Sequence, residues 1–183
     1  MKTKPIVHSY SAVETFKQCQ HKYNQVKILK NFFDQSGPEA EFGTKQHELA
    51  EKALQNDTPL GSSMGDALAF VRGFTGLKIP EQKLGIDKSL RPAGFFENER
   101  VWYRALVDVT ILNATHGVIV DYKTGKRRVP WEERNDPDAM PAEDQMMIYS
   151  LLTFLHHSHL ETIEAYLYYT HNGSSPDRYD FHR

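Results

Sequence analysis

The stretch that most constrains the fold runs from residue 101 to residue 123. Val101, Tyr103, Ala105, Val107, Val109 and Ile111 alternate with Trp102, Arg104, Leu106, Asp108 and Thr110, and a second apolar run, Gly117-Val-Ile-Val-Asp-Tyr-Lys123, follows after only Asn113-Ala-Thr-His116. Alternation with period two marks a strand with two distinct faces, and so short a connection joins antiparallel neighbours. A turn centred between residues 114 and 115 pairs Leu112 with Gly117 and, further out, Asp108 with Asp121.

Directly opposed side chains on one face have Cβ atoms roughly 4.5–5.5 Å apart, and two carboxylates held there repel unless positive charge lies between them. A divalent cation resolves the conflict. A three-residue loop or a bulge would slip the register by one and carry Asp108 off that face. Lys123 lies two residues beyond Asp121 and emerges on the same side, so a carboxylate and an ammonium aim at one point. Phosphodiester hydrolysis calls for a metal to polarise the phosphate and generate hydroxide, and for positive charge where the oxygens become more negative. Magnesium suits one or two carboxylates with water and substrate phosphate, and a histidine in the set adds tolerance for manganese.

Around the hairpin the pattern is helical first and mixed later. Ser11 and Glu14 form a capping box, and Val13, Phe16 and Tyr23 continue at helical spacing, which predicts a helix over about 11–27. Pro38 precedes a second helix, about 39–56, with Gly43, His47, Ala50 and Leu54 on one face, so His47 points inward. A weaker helix spans about 62–75, and after Pro80 the run 81–87 alternates like a strand. Residues 126–141 read as a charged loop around Trp131, followed by a helix from about 141 to 156 carrying Ile148, Leu151, Leu152 and Leu155, and a strand over 162–170.

With 183 residues, 39% apolar and 25% charged, one compact domain is expected. No apolar run approaches the ~20 residues of a membrane span and the first residues lack a secretory stretch, so the expected location is the cytoplasm of a bacterium or a phage-infected host. The single cysteine, Cys19, excludes an internal disulfide framework and any four-cysteine zinc or iron–sulfur site, leaving histidine, carboxylates and water as metal ligands. A net charge of −2 argues against a uniformly basic coat but leaves room for a local basic stripe.

Taken in order, Cys19-Gln-His-Lys-Tyr23, Gly43-Thr-Lys-Gln-His47, Glu81, Ala105-Leu-Val-Asp108, Asp121-Tyr-Lys-Thr-Gly125 and Gln145-Met-Met-Ile-Tyr149 span nearly the whole chain. This ordered set resembles the PD-(D/E)XK nuclease superfamily, in its RecB-like branch with the CRISPR-associated and phage exonucleases. The resemblance implies an α/β fold with a restriction-endonuclease-like core, a mixed central β-sheet flanked by helices, in a single domain over residues 1–183. It implies a metal-dependent deoxyribonuclease, an exonuclease by family, acting on linear DNA and single-stranded ends through a water activated by Mg2+ or Mn2+. His47, Asp108, Asp121 and the backbone carbonyl of Tyr122 would ligate the metal, with Asp108, Asp121 and Lys123 as the catalytic group. Gln145 and Tyr149, four apart on one helical face, would shape the site and contact DNA. Ala105 stands where the family pattern has glycine, and the extra cysteines of the cluster-binding members are absent, which rules out the iron–sulfur subtype.

Each residue also has a plainer reading. Single inward histidines are usually core residues, and Gln145 and Tyr149 would suit the rim of an amphipathic helix. Glu81 is divided evenly between a metal-sphere or water-organising role and a solvated carboxylate. Lys126, Arg127 and Arg128 offer a clamp for the DNA backbone, with Trp131 as a stacking surface, or simply a solvated face. His156, His157 and His159 sit at a helix end, where histidine suits the last carbonyls, and no metal is expected there. Two rival functions share the motifs: a non-catalytic DNA-binding or assembly module of the same fold, and a nuclease for RNA or structured junctions. Protein partners and homo-oligomers stay open.

Overall fold

A computed structural model of the chain describes residues 6–33, 37–61, 63–125, 141–171 and 175–183. Its helices are α1 (Tyr10–Gln18), α2 (Gln20–Tyr23), continued by a π-helical turn over Asn24–Ile28, α3 (Pro38–Gln55), α4 (Ser63–Gly73) and α5 (Ala142–His156). Its strands are β1 (Leu77–Ile86), β2 (Pro92–Ala93), β3 (Tyr103–Leu112), β4 (His116–Lys123), β5 (Thr162–Tyr169) and β6 (Asp177–His182). They form one sheet in the order β2-β1-β3-β4-β5-β6, in which β4 and β5 run parallel while β1–β2, β3–β4 and β5–β6 are antiparallel. The fold is therefore α/β with a mixed sheet. A parallel pair needs a crossover, and the chain between β4 and β5 contains α5. Among the described residues no helix is long and apolar enough to cross a membrane. Lys126, Arg127, Arg128 and Trp131 lie outside the described residues.

The chain divides into two compact units. Within the described residues the first draws on 6–33, 83–105 and 141–156, the second on 37–61, 63–82, 106–125, 157–171 and 175–183. In the second unit, α3 and α4 pack against one face of the sheet through Ala50, Ala53, Met64, Ala67, Leu68 and Val71, which meet Val109 and Ile111 of β3, Val118, Val120 and Tyr122 of β4, and Tyr166 and Tyr168 of β5. The intervening residues Thr110, Ile119, Ile163, Ala165 and Leu167 are buried too. Strands covered on both faces read as continuous apolar runs, which is why Val118-Ile-Val120 shows no polar alternation. Phe70 closes the cluster edge-on, with ring centroids 5.0 Å from Phe74 and 5.2 Å from Tyr166.

The first unit departs from the sequence expectation at its start. In place of one helix over 11–27, the chain breaks at Cys19, whose extended backbone (φ −158°) ends α1 and whose Sγ accepts from the Lys22 N–H to start α2. Ser9, not Ser11, caps α1, its hydroxyl accepting from Ala12 N–H at 3.3 Å. In α5 the apolar stripe is rotated: Met146, Tyr149, Leu152 and Phe154 are buried with Gln145, Ser150 and Thr153, whereas Leu151 is exposed. Strand β1 begins before Pro80 rather than after it, and β6 adds a further strand, Asp177–His182, at the edge of the sheet.

The β3–β4 hairpin has the register expected from the turn, Leu112↔Gly117 through Val109↔Val120. Asn113 N–H donates to the His116 carbonyl, and the Asn113 side-chain amide reaches the Thr75 carbonyl. That bond leads the chain through Gly76 at φ +120°, where an added Cβ would stand 2.7 Å from the Leu112 carbonyl oxygen. A side chain here is excluded both by conformation and by space. Gly76→Ala is expected to lower unfolding free energy by about 1–3 kcal/mol in urea titration, whereas an unchanged midpoint would show that the turn is not held this way.

Candidate metal centre

The centre is assembled from three elements of the second unit. Helix α3 runs close to the end of β4, where a Cβ on Gly43 would fall 2.9 Å from Thr124 Oγ1, so only glycine lets the helix sit this near without displacing that side chain. One turn later the imidazole of His47 comes to Asp108, Nδ1 to Oδ1 at 3.2 Å, and lies edge-on to the Tyr122 ring at 5.9 Å. Past Val109↔Val120 the antiparallel ladder stops. The other Asp108 oxygen, Oδ2, accepts the Tyr122 main-chain N–H at 2.7 Å. The expected Asp108–Asp121 pair is thus replaced by a carboxylate that turns into the gap between the strands.

Glu81 completes the group. One ligand atom each from His47, Glu81 and Asp108 lies within 4.8 Å of the others. Glu81 has φ +49°, the left-handed region that residues with side chains rarely adopt, and it does so inside β1 directly after Pro80. Such backbone costs about 1–3 kcal/mol and persists where surrounding structure imposes it. The sequence placed Glu81 only evenly between site and surface, because nothing in a Pro-Glu pair announces a left-handed residue within a strand. Proximity to a motif strand after folding is the missing signal.

Asp121, expected among the ligands, is engaged differently: its Oδ2 lies 2.8 Å from Lys123 Nζ. The Lys123 carbonyl accepts from Thr170 N–H at 2.9 Å, which fixes the end of β4 against the residue after β5. Tyr122, whose carbonyl is the expected fourth donor, contributes its amide to Asp108 and buries its ring, with the hydroxyl lacking a hydrogen-bond partner among the described residues. Gln145 and Tyr149 belong to the first unit, where Gln145 Nε2 donates to the Tyr149 hydroxyl at 2.9 Å and both are buried. His156 binds the Gly85 carbonyl through Nε2 at 2.7 Å, and His157 accepts from the Gln82 amide at 2.8 Å.

Electrostatics follow from the crowding. Burial pushes the Asp121 carboxyl up to about 6, opposed by the attraction of Lys123 and reinforced by the charge of Asp108. Burial alone would lower His47, but the hydrogen bond to Asp108 and the charges of Asp108, Asp121 and Glu81 outweigh it and hold the imidazole above its ordinary value. Lys123 is likewise held up, burial being overcome by Asp121 and Asp108. The Tyr122 hydroxyl is pushed strongly up by burial and by the charges of Asp108 and Glu81. Among the described residues, three carboxylates therefore face one lysine and one histidine. Two carboxylate oxygens and one imidazole nitrogen drawn from three separate elements form a donor set that could hold a divalent cation.

No protein-family model matches the chain, and no curated protein does. Among solved structures, that of SSO0001 aligns with all of this chain and 70% of its own, at 13% identity and a TM-score of 0.43. That likeness is too loose to bear on activity.

A raised folded-state pKa gives stability that is present below the unfolded value and is lost as pH rises through the folded value. For Asp121 the window runs from 3.8 to about 6, and for His47 it begins at 6.5. Cation binding requires the same protons to leave, so it gains where the cation-free fold loses. Mn2+ is therefore expected to raise the melting temperature, against an EDTA control, more at about pH 8 than at about pH 5 in scanning fluorimetry, and to have no effect on Asp108→Ala. An equal rise at both pH values would contradict the assignment.

Proposed function

We propose that this chain is a divalent-cation-dependent DNA nuclease of the PD-(D/E)XK type, an exonuclease by its resemblance to the RecB-like branch. The observation that carries the reading is the convergence of His47, Glu81 and Asp108 beside the Asp121–Lys123 pair. The proposed cation, Mg2+ or Mn2+, would be held by His47 and Asp108, with Glu81, Asp121 and the Tyr122 carbonyl as further donors. When bound it supplies Lewis acidity toward a phosphate oxygen and lowers the pKa of water at neutral pH.

The remaining work belongs to the chain. Asp121 keeps Lys123 protonated and fixes its ammonium, so positive charge stands ready for the negative charge that grows on the phosphoryl oxygens. Asp108 is held on one oxygen by the Tyr122 N–H, which spares the reaction part of the cost of orienting it. The burial of Gln145 and Tyr149 supports a packing role for them over direct contact with DNA. Linear DNA with single-stranded ends is the proposed partner, met in the cytoplasm of a bacterium or infected host.

The test is degradation of end-labelled single- and double-stranded linear DNA, with a closed circle and matched RNA alongside, in magnesium, manganese or EDTA. Cleavage of linear DNA that needs the cation and falls at least about 100-fold in Lys123→Ala and in Asp108→Ala is expected. A wild-type chain that binds DNA without cutting any substrate would overturn the reading in favour of a non-catalytic module, and cleavage confined to RNA would replace the substrate.

A further inference from the structure

Strand β6 ends the sheet of the second unit. It meets β5 in an unbroken antiparallel ladder, Thr162↔His182 through Leu167↔Asp177, and among the described residues no strand meets its other side. Half of the main-chain N–H and C=O groups of an edge strand point outward, where they can template a further strand. Edges are commonly guarded by lysine, proline or a bulge, and Asp177-Arg-Tyr-Asp-Phe-His182 contains none of these. Instead it carries opposite charges two residues apart, Arg178 and Asp180, on one face and to either side of Tyr179.

Symmetry decides which strand this edge fits. An antiparallel neighbour related by a two-fold axis pairs residues that share a face, so the axis passes beside a residue that stands opposite its own copy. The longest such overlaps that Asp177–His182 allows are centred on Asp180 and on Tyr179. The first sets two Asp180 carboxylates against each other. The second sets Arg178 of each copy against Asp180 of the other. Arg178 is already oriented: its Nε and Nη2 donate to Asp180 Oδ1 of the same chain at 3.0 and 2.8 Å, and Nη2 lies 3.1 Å from Glu164. Nη1 and Asp180 Oδ2 stand outside these bonds, and the two side chains are 51% and 52% exposed. A guanidinium whose direction is already fixed loses little freedom in taking a further carboxylate.

We propose that β6 is a self-association edge, to which a second copy of this chain adds its own β6, antiparallel and in the register centred on Tyr179, joining the two sheets into one. The two Arg178–Asp180 pairs select the register, and the main-chain ladder holds it. Tyr179 lies on the other face, and its side chain has no part in the selection. No residue of the candidate metal centre is involved, so the inference does not rest on the nuclease reading.

Sedimentation equilibrium of the full chain in EDTA tests it. The wild type is expected to associate to twice the mass of the chain. Arg178→Glu and Asp180→Arg each place like charges opposite each other at both symmetric positions, and each variant alone should have its dissociation constant raised at least about tenfold. An equimolar mixture of the two should recover association, because each variant then meets the charge that it lacks. Mixing restores no contact within a chain and refolds nothing, so recovery separates an interface from a folding defect. A wild type that stays monomeric at millimolar concentration, variants that associate as the wild type does, or a mixture that associates no more tightly than its components would each overturn the proposal.

Discussion

The Tyr122 N–H donates to a side-chain carboxylate, that of Asp108, at the point where the β3–β4 ladder ends, and the candidate centre depends on that bond. A carboxylate tied at one oxygen by a backbone amide has little freedom left, so its second oxygen can hold His47 at a fixed place. For His47 to arrive, α3 must lie against the end of β4, which Gly43 permits and the small residues Ala50 and Ala53 continue down the helix. One hydrogen bond at the strand end is thus tied to the position of a helix, and through it to a candidate ligand.

This arrangement works against the stability of the isolated fold. Asp108 and Asp121 are buried, Glu81 is half-buried in a strained backbone, and among the described residues of the centre only Lys123 supplies a permanent compensating charge. Apolar packing elsewhere absorbs the cost: Met64, Leu68, Val71, Val109, Ile111 and Val120 of the same unit are almost entirely enclosed. Converging carboxylates disagree with good packing, and such local conflicts mark a candidate site.

What the sequence disclosed and what it hid divide along the same line. The hairpin register was legible because alternation and a four-residue connection are local and leave little choice, and α3 was legible because Pro38 and its small-residue face are local too. The end of the ladder was not, since Asp108 leaves it in answer to Tyr122 N–H and His47, partners 14 and 61 residues away. Glu81 hid for the same reason, its left-handed backbone being imposed by tertiary surroundings rather than by a glycine. The break at Cys19 turned on a weak cap, a sulfur accepting one amide, that outweighs no strong helix former and so leaves little trace in composition. Strand β6 alternates as well, but over only six residues, and its pairing with β5 completes it.

Negative charge gathers in the second unit, at Glu81, Asp108 and Asp121. Under the proposed nuclease reading, a nucleic-acid strand, a polyanion, would be repelled by these three carboxylates until a cation changed the sign of the region. Under that reading, each lysine added at the centre to draw the strand would weaken the carboxylates' grip on the cation.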